Sequence, residues 1–178
     1  MKKSIKKDRA EKEKIVHVVS LRRVAAVVKG GKNFAFSALV VAGDGKGNAA
    51  YATGKSREVS EAVRKATVKA SARMEKISLK DGRTVHHDQE GKFGASRVQI
   101  RSAPLGTGVI AGGDMRAVFN ALGVQDVVGK SLKGGTSHNI VAATFEALKK
   151  THSPRFLANR RGCKVIDILG GKRHGAAS

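Results

Sequence analysis

The chain has 178 residues, enough for one ordinary domain or two small ones. Lysine and arginine number 35 against 14 aspartates and glutamates, a formal charge of +21, and only 4% of residues are aromatic; so self-repelling a chain calls for a polyanionic partner, nucleic acid or an anionic membrane surface. No apolar run approaches the roughly 20 residues of a membrane span, no signal-peptide core opens the chain, and the single cysteine, Cys163, leaves neither an internal disulfide framework nor a Cys-rich zinc cluster.

A cytoplasmic protein without a membrane span is the expectation. Its charge is spread along the chain, with residues 1–14, 15–76 and 77–178 carrying +4, +8 and +9. Such a spread suits a partner that surrounds the protein. Residues 1–14, MKKSIKKDRAEKEK, have almost nothing apolar to bury and read as a flexible basic arm. From Ile15 to Val28 an apolar-rich run is broken by Arg22 and Arg23, as in a strand with a wet edge or face.

Leu21–Lys55 then predicts three short strands joined by two glycine turns. Phe34, Phe36, Ala38 and Val40 fall on one side of an extended chain, and Ala35, Ser37, Leu39 and Val41 on the other. Lys29-Gly30-Gly31-Lys32 makes the first turn, where glycine can take a positive φ, and Gly43-Asp44-Gly45 makes the second. After Lys55 the period changes to 3.6: Val59, Ala62, Val63, Ala66 and Ala70 form a helical stripe, with Ser56 as N-cap and Glu58 in the first turn. The order β-β-β-α resembles the core of double-stranded RNA-binding domains without their first helix.

Lys80-Asp81-Gly82-Arg83 reads as a turn between two units. Ser96–Arg101 alternates, Val98 and Ile100 one way and Arg97, Gln99 and Arg101 the other. A glycine-rich stretch, Gly106–Gly113, leads into a helix capped by Asp114, striped by Met115, Val118, Phe119 and Leu122, and closed by Gly123. A short strand around Val124–Val128 leads to another glycine turn. Ser137 opens a helix striped by Val141, Phe145 and Leu148, with Lys149 and Lys150 favourable at its C-terminal end. Pro154 and Arg155–Leu169 make a basic coda with a helical turn, and Gly170–Ser178 a frayed tail.

Two glycine patterns suggest an enzyme and fail on spacing. Gly54-Lys55-Ser56 resembles the end of a phosphate-binding P-loop, but Ala49 stands where its first glycine belongs, and the preceding strand pairs in a hairpin. Gly106-Thr107-Gly108 is followed by Gly112, one residue too far for the dinucleotide fingerprint, so these glycines read as close packing where a helix meets a sheet. His86-His87-Asp88 reads as an exposed turn, since neighbours on an extended chain point apart and no second His or Cys pair lies at metal spacing. Neither a nucleophile-base pair nor paired carboxylates stand out. The expectation is no catalytic site, no metal and no cofactor.

Through Val28–Gly47 and Gly54–Val59 in the first half, and Gly91–Val98, Gly106–Val118, Thr136–Thr144 and Ala158–Gly162 in the second, the chain is similar to the bacterial-type small-subunit ribosomal protein S-five family. The first half carries V-K-G-G-K-x-F-x-F-S-A-L-V-V-x-G-D-G-x-G at Val28–Gly47 and G-K-S-R-E-V at Gly54–Val59. The second carries G-K-F-G-A-S-R-V at Gly91–Val98, G-T-G-V-I-A-G-G-D-M-R-A-V at Gly106–Val118, T-x-x-N-I-V-x-A-T at Thr136–Thr144 and A-x-x-R-G at Ala158–Gly162. The chain departs from the family pattern at Ala49–Lys55, where V-G-x-G-x-G-K is usual, at Ser60 and Ser137, where proline is usual, and at Ser102–Leu105, where P-A-S-E is usual.

The resemblance implies an α+β protein of two units. Residues 15–79 would form a double-stranded-RNA-binding-like β-β-β-α domain and residues 80–161 a β-α-β-α ribosomal-type domain, with an arm at 1–14 and an extension and tail at 162–178. It further implies a structural constituent of the small ribosomal subunit, bound to 16S-type rRNA, touching ribosomal proteins S-four and S-eight, beside the path by which mRNA enters, and supporting assembly and translational accuracy. A free-standing double-stranded RNA-binding regulator is the alternative. The candidate RNA-binding residues are Arg22, Arg23, Lys29, Gly30, Gly31, Lys32, Lys46, Lys55 and Arg57. The candidate protein interface is Gly106, Thr107, Gly108, Gly112 and Gly113. Residue chemistry agrees on the class: folded RNA is read through well-placed cations and amides, whereas single-strand binders need stacking rings, and this chain has no tryptophan and one tyrosine.

Overall fold

Six consecutive buried residues, Ala38–Gly43, lie in a strand whose alternation puts successive side chains on opposite faces, so both faces are covered. The computed structural model describes residues 14–169, and the expected basic arm (Lys14 apart) and the tail Gly170–Ser178 lie outside the described residues. The first sheet has the order β1-β2-β3-β4: β1 (Ile15–Val28), β2 (Gly31–Gly43), β3 (Asn48–Ser56) and the two-residue β4 (Glu75–Lys76), each antiparallel to its neighbour. The first two strands, at 14 and 13 residues, are longer than the short strands expected.

Helix α1 (Val59–Ala72) covers one face of this sheet, packing Ala62, Ala66 and Ala70 against Ala38, Val40, Ala42 and Ala52. The contact is close because it is built from methyl groups: a Cβ at Gly54 would stand 2.2 Å from the Ala62 carbonyl oxygen. That approach, rather than any phosphate, accounts for the glycine before Lys55. Burial is worth about 0.8 kcal/mol per CH₂-sized group, so a core made largely of alanine is thin. Ser56 is not the helix cap. It ends β3 and donates its hydroxyl to Glu61, while Glu58 occupies the N-cap position without a side-chain cap bond.

The other face of β2 belongs to a larger core. Leu39, Val41 and Ala49 join Phe119, Leu122, Val98, Ile100, Val141 and Leu148 in one buried cluster. The second sheet comprises β5 (Gln89–Phe93), β6 (Ser96–Ser102), β7 (Val109–Ile110) and β8 (Val127–Lys133), in the order β5-β6-β8-β7, with β7 and β8 parallel. Helices α2 (Gly113–Leu122) and α3 (Ser137–Lys150) both pack on its Val98–Ile100 face: Gly129 lies under Met115 and Phe119, Gly91 under Ala143 and Ala147. The opposite face, with Arg97, Gln99, Arg101 and Lys130, carries no helix among the described residues. The coda is two helices, α4 (Pro154–Arg161) and α5 (Val165–Leu169).

The second unit is richer in strands than β-α-β-α, since β5 and β7 add to β6 and β8. The strand expected at Val124–Val128 starts at Val127 and runs on through Gly129, so no turn falls there. Asp114 lies in the first turn of α2 and does not cap it; Gly112 is the N-cap, while Gly123 closes the helix at φ 79° as expected. Asp81 and Gly82 take positive φ in the inter-unit turn, which Lys80 and Thr84 bridge. His86 and His87 are half-buried rather than an exposed turn. The first ring meets the Ser78 hydroxyl at 3.0 Å, and the second accepts from the His152 amide at 3.3 Å. Among the described residues no helix is long and apolar enough to cross a membrane.

Candidate nucleic-acid interface

Pairing of β1 with β2 runs out to Val28↔Gly31, leaving Lys29-Gly30 as a two-residue loop. The positive φ sits on Gly31, at 136°, and not on Gly30. Lys29, Gly30, Gly31 and Lys32 are all exposed, and a Cβ at either glycine would meet nothing within 4 Å. β3 pairs with β2 no farther toward the tip than Phe36↔Ser56, so among the described residues Gly31–Ala35 have β1 as their only strand partner. The outcome is a bare two-stranded ribbon projecting past its own sheet, with two cations and open amides at the end. On its flank the Arg23 guanidinium lies 3.8 Å from the centre of the Phe34 ring, an exposed cation–π contact worth about 0.5–1 kcal/mol that fixes where this charge points.

The remaining candidates divide between two ends of the strand. Arg22 pairs across to Ser37, and Ser37 to Lys55, so the two cations share one face about 10 Å apart at the usual strand spacing. Arg57 is exposed just beyond β3. Lys46 is elsewhere: it lies past the other end of β2, about 40 Å from the tip for a 13-residue strand. Its loop is docked on the second unit, the Gly45 and Gly47 amides donating to the Ala121 and Leu122 carbonyls at 3.1 and 3.0 Å. Tip, ribbon and Arg57 form one basic projection, and Lys46 stands apart from it.

The glycine-rich stretch of the second unit is not close-packed. A Cβ at Gly106, Gly108, Gly112 or Gly113 would meet nothing within 4 Å. Two of these glycines are there for conformation: Gly106 and Gly108 have φ of 88° and 74°, a region that side-chain-bearing residues avoid. Their amides both donate to Asp126 Oδ1 at 3.0 Å, and the Arg83 guanidinium donates to Oδ2 at 3.0 Å. Thr107 is tied within the loop, its hydroxyl donating to the Pro104 carbonyl at 2.8 Å. The Gly108 amide foremost, with Arg83 and the Gly106 amide, holds the Asp126 carboxyl below the ordinary carboxylate range, although its burial opposes this. The stretch is therefore open where side chains would stand, while its Gly106 and Gly108 amides are tied to Asp126.

Sequence reasoning missed Asp126 and Phe34. The carboxylate lies 18 to 20 residues from the amides it binds, so no local pattern announces it. Phe34 sits on an apolar alternation and reads as core, and its partner Arg23 becomes visible only through the strand register. Among the described residues no three His, Cys, Asp or Glu side chains gather as a metal site.

Residues 15–78 match the family model described as "Ribosomal protein S5, N-terminal domain", and residues 91–161 match "Ribosomal protein S5, C-terminal domain". A relative from Hyphomonas neptunium named "Small ribosomal subunit protein uS5" is 54% identical over 171 residues, covering 96% of this chain and 86% of its own length. Proteins of the same name from Rhodospirillum rubrum, 53% identical over 99% of this chain and 88% of the relative, and from Gluconacetobacter diazotrophicus, 60% identical over 86% and 80%, are similar throughout.

Proposed function

The chain belongs to the ribosomal protein S5 family, and on that premise we propose that it is a structural, non-enzymatic constituent of the small ribosomal subunit that binds 16S-type rRNA in the cytoplasm. The observation that carries the RNA contact is the bare ribbon end, where Lys29 and Lys32 bracket two exposed glycines whose Cβ positions meet nothing within 4 Å among the described residues. Cations and open amides are what a phosphate backbone needs, and neither depends on base identity. Arg22, Arg23, Lys55 and Arg57 extend the contact along the ribbon. The Gly106–Gly113 loop, held from behind by Asp126 and open in front, suits a protein neighbour; ribosomal proteins S-four and S-eight are the family's partners for this unit. We further propose a position beside the path of incoming mRNA and support for assembly and accuracy, as the resemblance to the family implies.

The experiment is co-sedimentation. The chain should stay with small subunits through a high-salt wash that strips loosely bound proteins. Release by that wash, with equal binding to unrelated duplex RNA, would point instead to a free-standing double-stranded RNA-binding regulator.

A further inference from the structure

The edge of β3 is open. β4 pairs with it only at Asn48↔Lys76 and Ala49↔Glu75, and among the described strands none lies beyond β3 over Ala50–Thr53. That edge lines a groove of about 480 Å³. The last turn of α1, with Lys69, and its C-cap Arg73 wall it on one face of the sheet; α3, with His138, Phe145 and Lys149, walls it on the other. Tyr51 fills the angle on the α3 side, its ring centre 5.1 Å from Phe145 and 5.7 Å from His138. The acid of the lining, Glu75, is taken up by Lys149 at 2.8 Å. Lys69 and Arg73, four apart on α1, have no carboxylate partner among the described residues.

We propose that this groove docks an extended, acidic peptide segment of a partner protein, which adds as a strand to the β3 edge. Two complementarities select that occupant. An open strand edge presents N–H donors and C=O acceptors in alternation, and another peptide backbone supplies both counterparts at the right spacing. Phosphates supply acceptors alone, and the 2′-hydroxyl and base donors of RNA do not repeat at strand spacing, so RNA matches the β3 carbonyls poorly. The cations on the α1 wall then favour carboxylates on the incoming strand. Four residues of edge, Ala50–Thr53, span about 13 Å at strand rise, room for a short segment rather than a whole sheet. The alanines at 50 and 52 keep the approach shallow, and β4 sets the register by ending at Ala49.

The test uses the full chain and fluorescein-labelled peptides at low salt: alternating Glu-Val, the same sequence methylated at every backbone nitrogen, and alternating Lys-Val, with oligouridylate as the RNA probe. The Glu-Val peptide should bind saturably and slow hydrogen exchange at the outward amides within Ala50–Thr53. The N-methylated peptide, unable to donate, should leave those amides unprotected, and the Lys-Val peptide should not bind. Combining Lys69→Glu with Arg73→Glu should weaken Glu-Val binding by about tenfold or more. If that variant melts below the parent, Lys69→Gln with Arg73→Gln should still weaken binding in the same direction. No binding of the Glu-Val peptide, binding without protection of those amides, or protection of the same amides by oligouridylate would each overturn the proposal, the last by assigning the groove to RNA.

Discussion

Gly43 of β2 lies backbone to backbone against Ala121 of α2: a Cβ at the glycine would stand 2.0 Å from the alanine carbonyl oxygen. The neighbouring Gly45 amide donates to that same carbonyl at 3.1 Å, so the oxygen cannot yield without breaking a bond. Gly43→Ala is accordingly expected to destabilise the fold by about 1–3 kcal/mol, the usual cost of overpacking. Denaturant melting checks it, with Gly30→Ala at the open tip as a control that stays within about 0.5 kcal/mol.

At the tip, charge and conformation separate cleanly. Lys29→Ala and Lys32→Ala should each leave stability within about 0.5 kcal/mol. Each should also lower the salt slope of RNA binding by roughly one, the signature of one lost phosphate contact. Affinity for a small-subunit RNA fragment measured from about 50 to 200 mM salt reads this directly. An unchanged slope in both variants would reduce the tip to an ordinary turn.

Backbone strain should appear at one glycine of the pair. Gly31→Val forces a β-branched residue to φ 136° and should cost about 1–3 kcal/mol in melting, or unzip the end of the ribbon. Gly30→Val should cost distinctly less. Equal costs would mean that the turn does not have this geometry in solution.

Asp126 ties the glycine loop to Arg83, and its folded-state pKa is lowered. Its contribution to stability is therefore complete above the unfolded value of about 3.9 and is lost as pH falls through the lower folded value. Asp126→Asn should be less stable than the parent at neutral pH, and the gap should narrow as pH drops below about 4. Melts at a series of pH values decide; a gap that stays constant in acid would show that the carboxylate charge is not what holds the loop.

Gly112 offers the cleaner probe of the proposed protein interface. It has φ −62° and open space at its Cβ, whereas Gly108 would be strained by any side chain. Gly112→Arg should cost no more than about 1 kcal/mol, the loss of a glycine N-cap, while impairing incorporation into small subunits. Normal incorporation would remove this loop from the list of contacts.

Most of the fold was legible because its periods are clean. The alternation at Phe34–Val41 announces a strand, and the alanine stripe of α1 and the Met115–Leu122 stripe of α2 each announce a helix and its buried side. What escaped lay between elements. The strand around Val124–Val128 reads as leading into a glycine turn, yet β8 runs through Gly129, where Met115 and Phe119 fill the space a side chain would need. β7 is two residues paired in parallel, too short to leave a period. At the site, the lysines bracketing the tip glycines were visible in sequence. The distance of Lys46 from them was not, because a residue's end of a hairpin is set by pairing. The open glycines at 106–113 were read as packed because spacing shows where glycine occurs, and only neighbours show whether it needs φ or room.

Leu39 and Val41 have a history as well as a place. A chain grows from its N-terminus, so β2 emerges well before α2, whose Phe119 and Leu122 share its buried cluster. At roughly 5–20 residues per second the interval lasts on the order of seconds. Throughout it the newborn sheet shows solvent an apolar face that the finished protein never displays, with only the alanine core behind it to hold its shape. Manufacture thus includes a spell of adhesiveness, and a chain released before α2 is made keeps that face bare for its whole life.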